Sequence, residues 1–505
     1  MRVVLWHGWT LEGSGSNVFA AEVTDALRRA GHQVLLLSQD PHPERFAFVD
    51  AWGVVDGDGV SCVQPTGTEP AAGRATLLRP DIGPIHPSFL GEPVDGRRVK
   101  RFVELSDSEL DAYLDHNARA LKTAAAWHGC DVLFASHAVP GAIVARLALG
   151  PGVYAVMVHG SELEHAVRLQ PRYREAAREG LEGARAVIAP SMHALSRVAR
   201  LFPMIADRSR VVRPGVDGNT FRPEPRPVSL ARMASMLERD GIPGDPAVLD
   251  RLVEDALKRR DSQALNVLSF RYDEAGHDHL AATRLRSLAS AGRPLIGYLG
   301  RLAPQKGTNQ LIEAIRLLGP EVGALIAGFG PSRAWLTGLV KALDDRNVFA
   351  LRWLEETGIR GVGLDGAPQG RMSDRVIFTG RLEHRDVPAV VTAVDVLVIP
   401  SLPPESFGMV AVEAAAGGAL PLMSRHSGLA ETAGALETAV GRPGLFSYRH
   451  GPSSAQRIAA GVRRLLALHP EERREIQRAI RAFVTAEWTW EHTANGLLRS
   501  IRQED

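Results

Sequence analysis

The apolar positions fall into short runs of four or five residues, each followed by a glycine-marked turn and then by apolar residues at helical spacing. Residues 3–6 read as a strand and residues 8–16 as a polar loop with three glycines. Residues 18–30 read as a helix carrying Val18, Phe19, Val23, Ala26 and Leu27 on one side. Gly31 closes that helix and residues 34–37 form the next strand. A strand–helix–strand opening of this kind predicts a parallel sheet with right-handed crossovers.

Further strands are expected at 132–135, 154–158, 187–189 and 211–212, with a helix over 107–127. Residues 41–100 are rich in proline, glycine and charge. They are expected to hold a strand near 46–52 and a long loop towards the basic run Arg97, Arg98, Lys100, Arg101. Three prolines between 221 and 227 mark a break, and 228–290 is helical in pattern and highly charged. The plainer reading of that insertion is a surface elaboration. The α/β rhythm restarts with strands at 295–299, 324–327, 376–378, 396–399 and 420–423 and helices at 308–318 and 410–417. Helices at 454–468, 470–487 and 491–499 close the chain. The expected organisation is therefore 1–220, a linker and helical insertion at 221–292, a second α/β domain at 293–487, and a C-terminal helix in 488–505 packing back on the N-terminal domain.

Composition narrows the classes. A chain of 505 residues is too long for one core, and 45% hydrophobic with 23% charged residues is ordinary for a soluble globular protein. Lys plus Arg (59) balances Asp plus Glu (58), so no global field favours nucleic acid or membrane. Two isolated cysteines, Cys62 and Cys130, suit a reducing compartment. With no signal-like or spanning apolar stretch, a cytoplasmic location is expected, peripheral membrane association staying open through the 97–101 basic run.

The chemistry concentrates after the strand at 396–399, in Pro403-Pro404-Glu405-Ser406-Phe407-Gly408-Met409-Val410-Ala411-Val412-Glu413. Open α/β sheets bind ligands at the carboxyl ends of strands. Gly408 permits close backbone approach, and the amides of Phe407, Gly408, Met409 and Val410, opening a helix, suit a diphosphate. Glu405 before the helix and Glu413 inside it can hold two ends of an elongated ligand, each carboxylate accepting from sugar hydroxyls. Gly300-Arg301-Leu302-Ala303-Pro304-Gln305-Lys306-Gly307 follows another strand. Arg301 offers a planar fork and Lys306 a point charge to the same phosphates. Gly328-Phe329-Gly330-Pro331 and Gly380-Arg381-Leu382 end two more strands; the first lets a ligand lie close to backbone, and the second offers backbone to a nucleobase edge.

Glu405 through Glu413 resembles the E-x7-E motif of retaining GT-B glycosyltransferases of family 4, and the 300–307 segment resembles that family's phosphate-binding loop. The resemblance implies two facing Rossmann-like, doubly wound α/β domains, here with a helical insertion. It implies that Glu405 holds donor-sugar hydroxyls, Glu413 the ribose hydroxyls, and Arg301 and Lys306 the diphosphate leaving group. It implies no cofactor and no metal, the substrate being a nucleotide sugar with UDP favoured. Val156-Met157-Val158-His159-Gly160-Ser161-Glu162 is similar to the family's strand-end histidine segment, placing His159 near the anomeric centre. Ser14-Gly15-Ser16-Asn17-Val18-Phe19 resembles the glycine-rich loop of relatives of sucrose-phosphate synthase and inositol-phosphate transferases. Gly15 and Ser16 are thereby donor candidates, and Asn17 an acceptor candidate; His137, after the strand 132–135, is another for the acceptor pocket. Two departures are Pro214 in the Pro214-Gly215-Val216-Asp217 segment, where many relatives carry asparagine, and Gly160, where inositol-phosphate transferases carry a threonine.

The expected reaction is metal-independent transfer of a sugar, with retention, to a hydroxyl of a small-molecule, glycan or lipid-linked acceptor. Two other readings compete. Gly13-Ser14-Gly15 invites an NAD-dependent oxidoreductase, but Val18 stands where the fingerprint needs glycine or alanine. A non-catalytic nucleotide-sugar-binding module is the second; the presence together of Glu405, Glu413, Arg301 and Lys306 speaks against it.

Overall fold

The structure, a computed structural model, describes residues 1–66, 71–91, 97–239, 246–275, 278–359 and 370–502. Parts of the expected 41–100 loop (67–70, 92–96) and of the insertion (240–245, 276–277) lie outside the described residues. The chain divides into two units, Met1–Gly215 with Trp488–Asp505, and Val216–Glu487.

The first unit is built on strands β1 (Arg2–Trp6), β2 (Gln33–Leu37), β3 (Ala51–Val55), β4 (Val60–Pro65), β5 (Arg74–Pro80), β6 (Ile85–Ser88), β7 (Arg98–Arg101), β8 (Val132–Ser136), β9 (Tyr154–Met157), β10 (Ala186–Ala189) and β11 (Ser209–Val211). Nine form one sheet in the order β11-β10-β9-β8-β1-β2-β5-β3-β4, and β6 pairs with β7 apart from it. All neighbours are parallel except β3 with β4. Val3 of β1 lies between Val34 and Val132 in register, and Val3 through Trp6 are buried. Helices on both faces of a parallel sheet explain why such strands are apolar throughout.

The strand expected at 46–52 is corrected: β3 begins at Ala51. Before it, the Phe46 amide donates to Pro43 (3.2 Å) and that of Val49 to Phe46 (3.0 Å), so these turns occupy backbone that a strand would need. The unpredicted β5 takes the interior place between β2 and β3. The helix Gly15–Arg29 starts earlier than its apolar spacing suggests because Ser14 caps it, accepting from the Asn17 amide at 3.4 Å. Much of the 97–101 charge is paired locally, Lys100 with Glu109 and Arg101 with Glu104, both at 2.6 Å. Cys62 and Cys130 are unpaired and exposed.

The C-terminal helix Trp490–Arg502 belongs to this unit. Trp490 stands edge-on to Phe19 with centroids 5.8 Å apart, Thr493 donates to the Arg213 carbonyl at 2.8 Å, and Glu491 pairs with Arg29 at 2.6 Å.

The second unit carries β12 (Leu295–Leu299), β13 (Gly323–Ala327), β14 (Val376–Gly380), β15 (Val396–Ile399), β16 (Leu420–Ser424) and β17 (Ser447–Tyr448), all parallel, in the order β14-β13-β12-β15-β16-β17. The insertion is helical, with Arg226–Arg239, Pro246–Arg259, Ser262–Ala275 and His279–Ala291, and groups with this unit. Its buried Leu230, Leu265 and Leu285 give it a packed interior. Arg226 binds Asp395 beside the start of β15 at 2.9 Å, anchoring it to the sheet. Among the described residues no helix is long and apolar enough to cross a membrane.

Candidate active site

The strand order brings the carboxyl ends of β14, β13, β12 and β15 side by side. Backbone bonds continue past the strands: the Gly300 amide donates to Ala327 and the Gly328 amide to Gly380, each at 3.1 Å. Three glycine-marked loops distant in sequence are thus stitched into one rim.

Lys306 and Glu405 meet on that rim. The Lys306 ammonium pairs with Glu405 Oε1, which also accepts from the Ser401 hydroxyl at 2.6 Å. Glu405 is fixed through its backbone as well, its amide donating to Ser427 Oγ at 2.9 Å and its carbonyl accepting from the Gly428 amide at 2.9 Å. Burial opposes ionisation of Glu405, but Lys306, Ser401 and His426 outweigh it and hold the carboxyl below the ordinary carboxylate range. It is therefore a carboxylate at neutral pH. Ser401, Ser427 and His426, whose Nε2 lies 2.8 Å from the Ser401 carbonyl, are site residues that the sequence reading did not nominate. Their isolated serines and histidine carry no pattern of their own.

Gly307 explains how the loops come so close. Its φ is +68°, and a Cβ there would lie 2.1 Å from the Pro400 carbonyl oxygen. Gly307→Ala is expected to destabilise the protein by about 1–3 kcal/mol, because it adds left-handed strain to a backbone clash. A melting temperature lower by several degrees would show this, and one within about 1 °C of the parent would refute it.

Arg301 lies on the same loop as Lys306. Its carbonyl accepts from the Tyr298 hydroxyl at 2.8 Å, and burial together with the nearby Glu405 raises that phenol's pKa, leaving it a donor. Arg381 places its guanidinium 4.7 Å above the Phe329 ring and 3.8 Å from Glu383; Leu382 beside it is half-buried. The helix at the Glu405 turn is Met409–Gly417, with Gly408 at its cap. It begins one residue ahead of the expected 410–417, and Phe407, expected among the opening amides, precedes it, buried, with its carbonyl accepting from Thr432 at 2.7 Å. Met409 and Val410 form the first turn, half-buried, and Glu413 lies further along, buried.

The remaining candidates lie in the first unit. Gly15 and Ser16 open the helix Gly15–Arg29. Asn17 is not arranged as an acceptor contact. It is buried, its amide nitrogen donates to Thr10 Oγ1 (3.1 Å) and to the Glu12 carbonyl (2.5 Å), and its oxygen meets His7 Nε2 at 3.0 Å. That saturation makes it a brace for the 8–16 loop. His137 is buried 3.1 Å from Glu162, and its ring lies 4.7 Å from that of half-buried His159. Glu162, fully buried, also accepts from the amides of Ala138 (3.4 Å), His159 (3.0 Å) and Gly160 (2.7 Å). Burial opposes its charge, yet His137, His159 and backbone donors hold its carboxyl down at about 2. Burial and the neighbouring His137 push His7 down to about 3 and His159 well below the usual imidazole range, so both are neutral at pH 7. Among the described residues no group of three or more His, Cys, Asp or Glu is arranged to hold a metal ion.

Comparison with known proteins covers both units. Residues 13–219 match the family described as Glycosyltransferase Family 4, and 368–483 match glycosyl transferases group 1. A 2-deoxystreptamine glucosyltransferase of Streptomyces kanamyceticus is 31% identical over 182 residues, 35% of this chain and 38% of that protein. A D-inositol 3-phosphate glycosyltransferase of Mycobacterium tuberculosis is 29% identical over 227 residues, 44% of this chain and 40% of that protein. The match thus spans less than half the length of these curated relatives. Among solved structures, sucrose-phosphate synthase from Thermosynechococcus elongatus superimposes with a TM-score of 0.60 at 18% identity, covering 100% of this chain and 98% of that one. Anabaena HepE in complex with UDP and glucose does so with a TM-score of 0.57 at 15% identity, covering 100% of each. At such identities the likeness is one of fold.

Proposed function

We propose, because this chain is a family 4 glycosyltransferase of the GT-B fold, that it transfers a sugar with retention from a nucleotide-diphosphate sugar to a hydroxyl of a small polyhydroxylated acceptor, without a metal. The observation that carries this is the Lys306–Glu405 pair at the adjoining ends of β12 and β15. In the free enzyme each neutralises the other. A bound donor would divide them, its hydroxyls taking Glu405 and its diphosphate taking Lys306 and Arg301. UDP as the nucleotide is supported by HepE having been captured with UDP; a cyclitol-like acceptor is supported by relatives named for 2-deoxystreptamine and inositol 3-phosphate. Gly160, the departure noted above, speaks against a phosphorylated inositol.

In the reaction the bond from the anomeric carbon to the phosphate oxygen breaks and a bond to the acceptor oxygen forms on the same face. The acceptor's proton passes to the departing phosphate. Negative charge grows on that phosphate, so preorganised cations and helix-start amides, here Lys306, Arg301 and the first turn at Met409, lower the barrier most.

A thermal-shift screen against UDP-, GDP- and ADP-sugars tests this reading. Ligand linkage predicts a rise of several degrees with one base, largest for UDP, at concentrations well above Kd. Slow release of free sugar from that donor is expected alongside. No shift with any of the three, and no donor turnover, would refute it.

A further inference from the structure

The insertion has no part in the chemistry above, yet its third helix, Ser262–Ala275, reaches the rim of the site. Ser269 Oγ accepts from the Ala334 amide at 3.1 Å and Asn266 from Trp335 Nε1 at 2.9 Å, so it grips the start of the helix Arg333–Asp344. The Arg333 guanidinium is held between the Tyr272 and Phe378 rings, 4.2 and 4.1 Å from their centroids. The Asp278 amide donates to Thr379 in β14 at 3.0 Å. This is a docked element tied to the ends of β13 and β14.

At its tip, half-buried Asp273 accepts from the Gly330 amide at 2.9 Å. Gly330 in turn lies against the Arg301 loop, where a Cβ would stand 2.6 Å from the Leu302 carbonyl oxygen. The Ser332 amide donates to that carbonyl at 2.9 Å. Asp273 is therefore one backbone layer from Arg301, and the charges of Arg301, Arg333 and Arg381 all act on it. Burial raises its carboxyl's pKa against the pull of Gly330 and these arginines, so keeping an acid here is costly.

We propose that Asp273 is a counter-charge built into the phosphate clamp, holding the Gly328–Gly330 turn against the Arg301 loop and limiting how tightly a nucleoside diphosphate is retained. The inference rests on the nucleotide-sugar reading of this unit. Transfer leaves the diphosphate with one more ionisable oxygen than it had in the sugar ester. A fixed anion near the clamp therefore opposes product more than donor, and product release often limits turnover. Asp273 is a positioning residue; it acts through the arginines.

The test is calorimetric titration of the full chain with UDP, GDP and ADP, carrying forward whichever binds tightest, together with its nucleoside. Asp273→Asn keeps an acceptor for Gly330 and removes the charge. The diphosphate Kd should fall about three- to tenfold, the nucleoside Kd should stay unchanged, and the gain should shrink at about 0.5 M salt. Stronger product inhibition with a lower kcat should accompany it. Asp273→Ser, which also offers Gly330 an oxygen, is read the same way if the Asn variant does not fold. An unchanged or weakened diphosphate Kd, or a parallel change for the nucleoside, would overturn the inference while leaving the functional reading intact. Failure of the parent protein to bind any of the three diphosphates would instead remove that reading.

Discussion

Lys306→Ala is expected to lower kcat by about a hundred- to a thousandfold, the loss typical of removing one preorganised donor from developing negative charge. The protein should still fold, because the side chain is on the rim and a third exposed. A second consequence separates this account from simple loss of binding. Without Lys306, burial dominates at Glu405 and its carboxyl moves upward from its present position below the ordinary range. The acid limb of the pH–rate profile should therefore move to higher pH in the variant. Glu405→Gln should be similarly impaired but without that movement, since the titrating group is gone. The double variant should be much less impaired than the product of the single losses, because the two side chains act as a pair. Near-normal transfer by Lys306→Ala, measured as nucleoside diphosphate released per acceptor glycosylated, would be incompatible with the proposed clamp.

Glu162→Ala should produce the largest loss of stability, about 3–5 kcal/mol, since it leaves His137 and the amides of His159 and Gly160 buried or half-buried without their acceptor. The measurement is urea unfolding followed by tryptophan fluorescence, to which Trp6 and Trp9 in the adjoining aromatic cluster contribute for the first unit. The pH dependence has a definite sign. Glu162 titrates at about 2 in the folded protein against an ordinary value of 4.5. Its contribution is thus full above about pH 4.5 and is lost as the pH falls towards 2. The variant should lack that part of the acid destabilisation. A change below about 1 kcal/mol in Glu162→Ala would mean that water replaces the carboxylate at no cost.

The sequence by itself determined the α/β rhythm, and it did so most sharply where strands are buried on both faces. Leu295–Leu299, apolar but for Gly297 and set between Pro294 and Gly300, and Val396–Ile399, set between Asp395 and Pro400, stand out as short apolar runs, and the structure has them with those same ends. The helices Pro470–Glu487 and Asp107–His128 were legible too, the first from its long amphipathic period and the second as the helix expected over 107–127, within one residue of its observed end. Lys306 and Glu405 were each legible as candidates from their motifs, since a cation after one strand and an acid after another are local patterns. That they form one ion pair was decided by tertiary structure: 99 positions separate them, and the strand order β12-β15 brings them together. The same holds for β5, interior to its sheet yet hidden in a proline- and glycine-rich stretch. It holds too for Glu162 and Asp273, whose partners include backbone amides that carry no side-chain signature. Periodicity records which face of an element is buried; which elements become neighbours depends on long-range packing, and a hydrogen bond to a distant backbone leaves no trace in residue order.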